Sequence, residues 1–227
     1  MARPIQPTPI LRGKDAQKVL ELMNSVTYSK EKQHFLNECR EIYKKTAQKW
    51  WSLIDFSKIE HDTLSKKDDI STFDCGDVDL NEFIKYDALS YQEKKLATTI
   101  LFLNNQELMG FISISTDSLK LNFDEKEGSS IHKKRLEEVP SVKIARLAVD
   151  LKYQQQKAGT FILKWSVGYI LECSDMIATR FITVDSYPNK TEFYNKFGFL
   201  INENRHYKKK ENHIDNSADK ITFGRII

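Results

Sequence analysis

The sequence predicts a mixed α/β chain (α+β, a mixed sheet with helices on both faces) preceded by a helical stretch. Three observations carry this expectation. Apolar, β-rich runs near residues 98–103, 108–116, 141–150 and 180–185 alternate with stretches whose apolar residues recur at the helical period. Hydrophobic residues make up 40% of the 227, enough to bury a core, and eight Gly and five Pro are too few for a fibrous or loop-dominated chain. The stretch 141–185 reads strand, helix, strand, which closes as a right-handed parallel crossover, whereas the strands before and after it suit antiparallel pairing.

Taken in order, Pro4, Pro7 and Pro9 predict an extended arm, since each fixes φ and biases its predecessor away from helix. Lys14 to Asn24 reads as a helix with Val19, Leu20 and Met23 on one side. A second helix starts at Ser29, a good N-cap, with Glu31 in its first turn and Phe35, Leu36, Cys39, Ile42 and Tyr43 on one face. Two such helices cannot close a core alone, so they must dock on the rest of the chain, a second copy or a partner. Trp50 and Trp51 read as packing anchors at the junction. These features set a boundary: a helical extension over 1–57, read as a regulatory or docking segment or else a stabilising or dimerising one, then an α/β domain over 58–227.

Within the second part, Asp79 to about Leu96 is expected as a helix, with Leu80, Phe83, Ile84 and Tyr91 inward and Asp79 with Glu82 as a variant capping box. Thr98–Leu103 and Leu108–Thr116 read as a hairpin turned at Asn104-Asn105. Asp117 to Glu138 is charged and poorly periodic, a long loop. Ser141–Asp150 is a buried strand, and Ala158–Cys173 a helix with Phe161, Ile162, Trp165 and Tyr169 inward. Arg180–Asp185, a short helix at Thr191–Lys196, and strands at Phe199–Ile201 and Ile221–Ile226 complete the order.

Composition excludes several classes. No apolar run approaches the roughly 18 residues of a membrane span, and the polar, proline-rich Met1–Pro9 does not read as a leader. Cys39, Cys75 and Cys173 are sparse, odd in number and far apart, as for reduced thiols in the cytoplasm. Five scattered histidines have no metal-ligand spacing, so no metal is expected. A net charge of +3 and a pI of 8.6 are only mildly basic. The clusters Lys133-Lys134-Arg135 and Lys208-Lys209-Lys210, and the pair Lys94-Lys95, read either as solvated loop faces or as phosphate contacts.

The chemistry concentrates in Lys143–Gly159, KIARLAVDLKYQQQKAG. A buried strand ends in a polar turn that feeds straight into an apolar helix. Such a junction gathers unbonded backbone N–H groups and a positive helix end at one point, a natural anion site, although an ordinary crossover turn has the same pattern.

IARLAVD, then YQQQKAG, then VDSYPNKTEFYNKFGF resemble, in order, the core of the GNAT acyltransferase superfamily. FDCGDVDLNEFIKYDA (Phe73–Ala88) is similar to a subgroup, the acetyltransferase toxins of bacterial type II toxin–antitoxin systems, which acetylate the α-amino group of aminoacyl-tRNA and block translation. The resemblance covers 58–227 and implies a GNAT fold with an amino-terminal helical extension, acetyl-CoA as cofactor, aminoacyl-tRNA as substrate and an antitoxin as partner; a homodimer is a further possibility. The family's turn, Q/R-x-x-G-x-G/A, aligns with Gln154-Gln155-Gln156-Lys157-Ala158-Gly159, and Thr160 follows it. Its usual glycine is Lys157 here, another frequent glycine is Gln155, and only Gly159 remains. The turn keeps its function if 155 and 157 hold helical φ and point outward, with Lys157 adding a cation beside the pyrophosphate; otherwise it is too crowded and the fold is a scaffold.

The resemblance implies that backbone at Leu147, Ala148 and Val149 holds the pantetheine arm and thioester, with an N–H near Val149 as oxyanion donor. It makes Tyr194 the general acid for the leaving thiolate, and places Phe193 and Asn189 beside the coenzyme. Arg146 would reach the acceptor end, and Lys133, Lys134, Arg135, Lys208, Lys209 and Lys210 the tRNA body. Asp150 reads equally as a base and as a turn former. An α-amino substrate, with a pKa near ~7.7, needs little help in losing its proton. Acetylation of a small amine or a protein amino group is the alternative reaction.

Overall fold

The computed structural model describes residues 11–24, 30–45, 54–122, 138–201 and 221–226. In chain order the elements are β1 (Leu11–Arg12), α1 (Gly13–Asn24), α2 (Lys30–Lys45), β2 (Glu60–Thr63), α3 (Val78–Glu82), a π-helical turn (Phe83–Asp87), α4 (Ala88–Glu93), β3 (Thr98–Asn104) and β4 (Glu107–Asn122). β5 (Glu138–Val149), α5 (Ala158–Ser174), β6 (Phe181–Ser186), α6 (Thr191–Asn195), β7 (Leu200–Ile201) and β8 (Ile221–Ile226) follow. They belong to two compact units, one from Lys30–Thr116 and Lys143–Ala178, the other from Pro7–Ser29, Asp117–Val142 and Thr179–Ile227. The proline arm, Ser29, Trp50 and Trp51 lie outside the described residues.

In the first unit the strands run in the order β2-β3-β4-β5. β2 pairs antiparallel with β3 (Glu60↔Leu103, Thr63↔Ile100), and β3 with β4 (Thr98↔Ile114, Asn104↔Glu107). The hairpin turns on Asn105 and Gln106, one residue later than the expected Asn104-Asn105. Both have positive φ, 50° and 68°, which matches the twist of the strands they join. β2 was not legible in the sequence: Glu60, His61, Asp62 and Thr63 are all exposed, so no apolar alternation marks the strand.

One face of this sheet packs on α3 and α4 through Phe73, Phe83, Ile84, Ala88, Leu101 and Phe111. The cap of α3 is Asp77, whose carboxylate accepts the N–H of Leu80 at 3.0 Å, so the expected Asp79/Glu82 box is corrected to a start two residues earlier. Asp77 is extended, as an N-cap requires, whereas Asp79 is already helical. The N–H of Ala88 reaches back to the carbonyl of Phe83, a bond five residues long that inserts the π-helical turn.

α5 is buried nearly all round from Phe161 to Val167 because α2 covers the side away from the sheet. Trp165 meets Tyr43 of α2, Phe102 of β3 and Tyr169 at ring separations of 5.3, 5.0 and 5.4 Å. Leu36, Cys39 and Ile42 of α2 are buried, the face its periodicity predicts. Two ion pairs flank the contact, Lys164–Glu38 at 2.6 Å and Lys44–Glu172 at 3.0 Å. In β4, a Cβ on Gly110 would stand 2.6 Å from the carbonyl oxygen of Ala148 and 2.7 Å from Cδ1 of Ile162, so only glycine lets β4, β5 and α5 meet there.

In the second unit, β1 runs parallel to the end of β4 (Leu11↔Leu121, Arg12↔Asn122). Leu11, Ala16 and Val19 from β1 and α1 form its core with Leu119, Val139 and Phe181. β8 pairs antiparallel with β6 (Phe181↔Ile226, Ser186↔Ile221) and with β7 (Leu200↔Gly224). β4 continues to Asn122 and β5 opens at Glu138, so the loop expected from Asp117 is strand for its first six residues. The polar Asp117 and Ser118 disguise it: Asp117 accepts a hydrogen bond from Thr183 Oγ1 at 3.0 Å, and Ser118 donates to Glu138 at 3.3 Å.

Candidate active site

The end of β5 and the start of α5 form one continuous feature in the first unit. Ala148 is buried, and Leu147 and Val149 are half-buried. The strand stops where the buried Asp150 caps a short 3-10 turn, Leu151–Tyr153, accepting the N–H of Lys152 at 2.9 Å. The N–H of Asp150 still donates to Met109 of β4 at 2.9 Å, so the turn starts from a fixed point.

Gln155 and Lys157 then take left-handed backbone conformations, φ 62° and 66°. The expectation of helical φ at these two positions is therefore corrected: they adopt the conformation glycine would favour. Both side chains are exposed, so the outward direction holds, and nothing crowds the turn interior from 155 or 157. A non-glycine residue in this region costs on the order of 1–3 kcal/mol and persists where neighbours over-determine it.

The first helical bond of α5 runs from the N–H of Phe161 to the carbonyl of Lys157, the N-cap residue, at 2.9 Å, and the Lys157 side chain makes no capping bond. The N–H groups of Ala158, Gly159 and Thr160 precede that bond and have no acceptor within the helix. Aligned with the helix dipole, they have the geometry that could accept an anionic group, with Lys157 on the same turn.

The neighbouring segment Phe73–Asn81 is bonded to this turn. The N–H of Asp74 donates to Asp150 Oδ2 at 3.0 Å, and the N–H of Leu151 returns to the carbonyl of Asp74 at 2.8 Å. Gln154 Nε2 donates to the carbonyls of Cys75 and Val149, each at 2.9 Å. Asn81 donates to Asp74 Oδ1 at 2.7 Å and accepts the N–H of Cys75 at 3.0 Å. The N–H of Gly76 and the Asn81 amide together hold the Asp74 carboxyl below the ordinary carboxylate range. Burial pushes the Cys75 thiol up, away from thiolate reactivity.

Arg146 is 3% exposed. Its guanidinium lies 4.4 Å from the ring centre of Phe83 and 3.9 Å from Asp79 Oδ2, so its cation is placed against the 78–87 helix rather than toward solvent.

Tyr194 belongs to the second unit. It sits on α6 after a 3-10 turn, Pro188–Lys190, that carries the exposed Asn189. The phenol is 7% exposed, edge-on to Phe193 and Phe199 at 5.1 and 5.8 Å, and burial pushes its pKa up. It therefore stays neutral and proton-bearing at physiological pH.

The structure thus brings Leu147, Ala148, Val149 and Gln154 through Thr160 together in one unit, and Asn189, Phe193 and Tyr194 together in the other. Lys133, Lys134, Arg135, Lys208, Lys209 and Lys210 lie outside the described residues. Sequence reasoning missed Asp74, Asn81 and Gly110 as site-building residues; the signals were the Asp-rich FDCGDVDLN run and a lone glycine inside a strand. Among the described residues no cluster of His, Cys, Asp or Glu can hold a metal ion, and no helix is long and apolar enough to cross a membrane.

Residues 68–215 match the acetyltransferase (GNAT) domain family. The tRNA-acetylating toxin of Mycobacterium tuberculosis is 24% identical over 139 residues, which are 61% of this chain and 82% of that protein. Two solved structures share the fold. The toxin AtaT complexed with acetyl-methionyl-tRNAfMet gives a TM-score of 0.54 at 18% identity, covering 73% of this chain and 94% of that one. A mutant of AtaT bound to the C-terminus of the antitoxin AtaR and to acetyl-CoA also gives 0.54, at 16% identity, covering 74% and 93%.

Proposed function

The chain belongs to the GNAT acetyltransferase family, and from that premise we propose that it transfers an acetyl group from acetyl-CoA to the α-amino group of an aminoacyl-tRNA, acting as a translation-blocking toxin. The observation that carries the coenzyme half of this reading is the uncapped start of α5 behind a left-handed turn. The scaffold alternative drew on side chains at 155 and 157; both are exposed and the backbone keeps the glycine-like shape, which favours a turn that still binds.

Bound acetyl-CoA supplies an acetyl thioester. Backbone N–H groups between Gln155 and Thr160, with Lys157 and Gln156 beside them, would hold its diphosphate. Backbone at Leu147, Ala148 and Val149 would hold the pantetheine arm, and an N–H near Val149 would polarise the carbonyl. Tyr194, whose buried phenol stays protonated across the working range, would hold a proton for the leaving sulfur, with Phe193 and Asn189 beside the coenzyme in this reading. The incoming amine, with a pKa near ~7.7, is substantially unprotonated at neutral pH and needs no dedicated base.

The tRNA half is supported by the likeness to a tRNA-acetylating toxin and to a toxin structure containing acetyl-methionyl-tRNAfMet. Lys133, Lys134, Arg135 and Lys208 to Lys210 supply phosphate-facing cations in this reading, with steep salt dependence. Arg146 acts from beneath, holding the 78–87 helix rather than touching the acceptor end. A proteinaceous antitoxin is the expected partner, and three sparse cysteines, odd in number, suit a cytoplasmic site of action. Residues 1–57 are assigned as a regulatory or docking extension of a catalytic domain over 58–227, with a stabilising or dimerising extension as the alternative; the seat of α2 on α5 supports docking.

Incubation with labelled acetyl-CoA and total charged tRNA tests the reaction: acetyl-aminoacyl adducts that vanish in Tyr194→Phe are the expected result. Coenzyme binding without any aminoacyl adduct would move the substrate to a small amine or a protein, and no coenzyme binding at all would sink the reading. Growth arrest that persists after removal of residues 1–55 would make the extension dispensable for activity.

A further inference from the structure

The turn between β5 and α5 is held in shape by groups outside the phosphate-facing backbone, among them Asp74 and Cys75. Resting on the reading that this turn takes a coenzyme diphosphate, we propose that Asp150 and Gln154 are positioning residues. They register the turn on the 74–75 backbone and so fix the direction of the unbonded N–H groups of α5 before any ligand arrives.

A left-handed turn made without glycine at 155 and 157 relaxes unless its surroundings forbid it. Asp150 forbids it from one end. Each oxygen of its nearly buried carboxylate takes a backbone N–H, Oδ1 that of Lys152 and Oδ2 that of Asp74, while the N–H of Leu151 answers to the carbonyl of Asp74. With both oxygens committed to backbone donors, Asp150 holds a shape and is not placed as a proton acceptor.

Gln154 acts across the mouth of the turn. Its single amide nitrogen joins the carbonyl that ends β5, at Val149, to the carbonyl of Cys75. On the other flank, Tyr153 donates to Glu107 of β4 at 3.1 Å, and inside the turn Gln156 donates to the carbonyl of Lys152 at 2.7 Å. The 74–75 backbone is itself anchored to a helix, because Asn81 of α3 binds both Asp74 and Cys75. That helix runs on to Phe83, under the guanidinium of Arg146, four residues before Asp150 on β5. The restraint is a closed circuit: strand, turn, loop, helix and back to the strand. A site made of backbone N–H groups gains affinity from being in place beforehand, because no ordering remains to be done on binding.

The test uses the full chain with Asp150→Asn and Gln154→Ala. Asparagine keeps the shape of Asp150 but turns a donor toward a backbone N–H; Gln154 is exposed, so its truncation leaves the core intact if Asp150→Asn does not fold. We expect amide hydrogen exchange over 149–160 without ligand to rise about fivefold in either variant. Calorimetric Kd for acetyl-CoA should rise about tenfold. Weaker binding with unchanged ligand-free exchange would overturn the proposal, since it marks a direct ligand contact; so would unchanged affinity in both variants. A wild-type protein that binds no acetyl-CoA removes the coenzyme reading itself, a failure distinct from variants that match a binding wild type.

Discussion

Gly168 of α5 and Cys39 of α2 meet backbone to backbone: a Cβ on Gly168 would overlap the carbonyl group of Cys39 and stand 2.7 Å from Cβ of Tyr43. An exposed helical glycine replaced by alanine gains up to about 1 kcal/mol from propensity. Here overpacking opposes that gain and wins. We expect Gly168→Ala to lower stability by about 2 kcal/mol, read as a fall in the urea midpoint at unchanged slope.

The Lys164–Glu38 pair lies along the same contact, with side-chain exposures of 11% and 27%. Removing one member of a buried pair costs more than replacing both. Glu38→Ala should therefore cost about 2–3 kcal/mol, and the double change Glu38→Leu with Lys164→Met should recover most of it. If the double variant is as weak as the single one, the pair itself is what stabilises the contact.

Positive φ at Gln155 and Lys157 makes a prediction of opposite sign. Glycine at either site relieves strain of about 1–2 kcal/mol and gives back about 0.5–1 in chain entropy. Gln155→Gly should raise Tm by roughly 2 °C and leave acetyl-CoA affinity unchanged. Lys157→Gly should raise Tm similarly but weaken affinity a few-fold, through loss of its cation. A fall in Tm for both would show that neither residue is strained.

Tyr194→Phe should reduce kcat by about 10²–10³ with calorimetric acetyl-CoA affinity unchanged. Burial raises the folded phenol above its ordinary value of 10.0, so no alkaline fall in kcat from this group is expected below about pH 10. The same shift affects stability. The folded state holds the proton more tightly, so Tyr194's contribution is full below the unfolded pKa and declines as pH rises beyond it. Urea midpoints measured from pH 8 upward should fall less steeply in Tyr194→Phe than in the wild type.

Much of the fold is legible in the sequence because burial writes a period. α1, α2 and α5 begin or end within a residue or two of where their apolar spacing puts them, and β8 spans Ile221–Ile226 as read. What fails to show is structure whose partners lie far along the chain. β2 is polar on both faces, and the outer half of β4 hides behind Asp117 and Ser118, whose partners are Thr183 and Glu138. The site divides in the same way. The strand–turn–helix junction is local and readable, whereas its hold on Asp74 spans 76 positions and no periodicity announces it. Nor does residue type announce φ: two side chains standing where glycines are usual give no sign that the backbone has kept the glycine shape.

The seat of α2 on α5 bears on synthesis as well as on the finished protein. α2 ends at residue 45 and the helix it needs begins at 158, more than a hundred residues later. At ~10 residues per second, roughly ten seconds pass before that helix has been made. Through that interval Leu36, Cys39 and Ile42 have no native cover, and the chain depends on whatever shelters nascent polypeptides. The turn that leads into α5 is translated in the same late segment, so the strand–turn–helix junction is deferred until about two thirds of the 227 residues have been made.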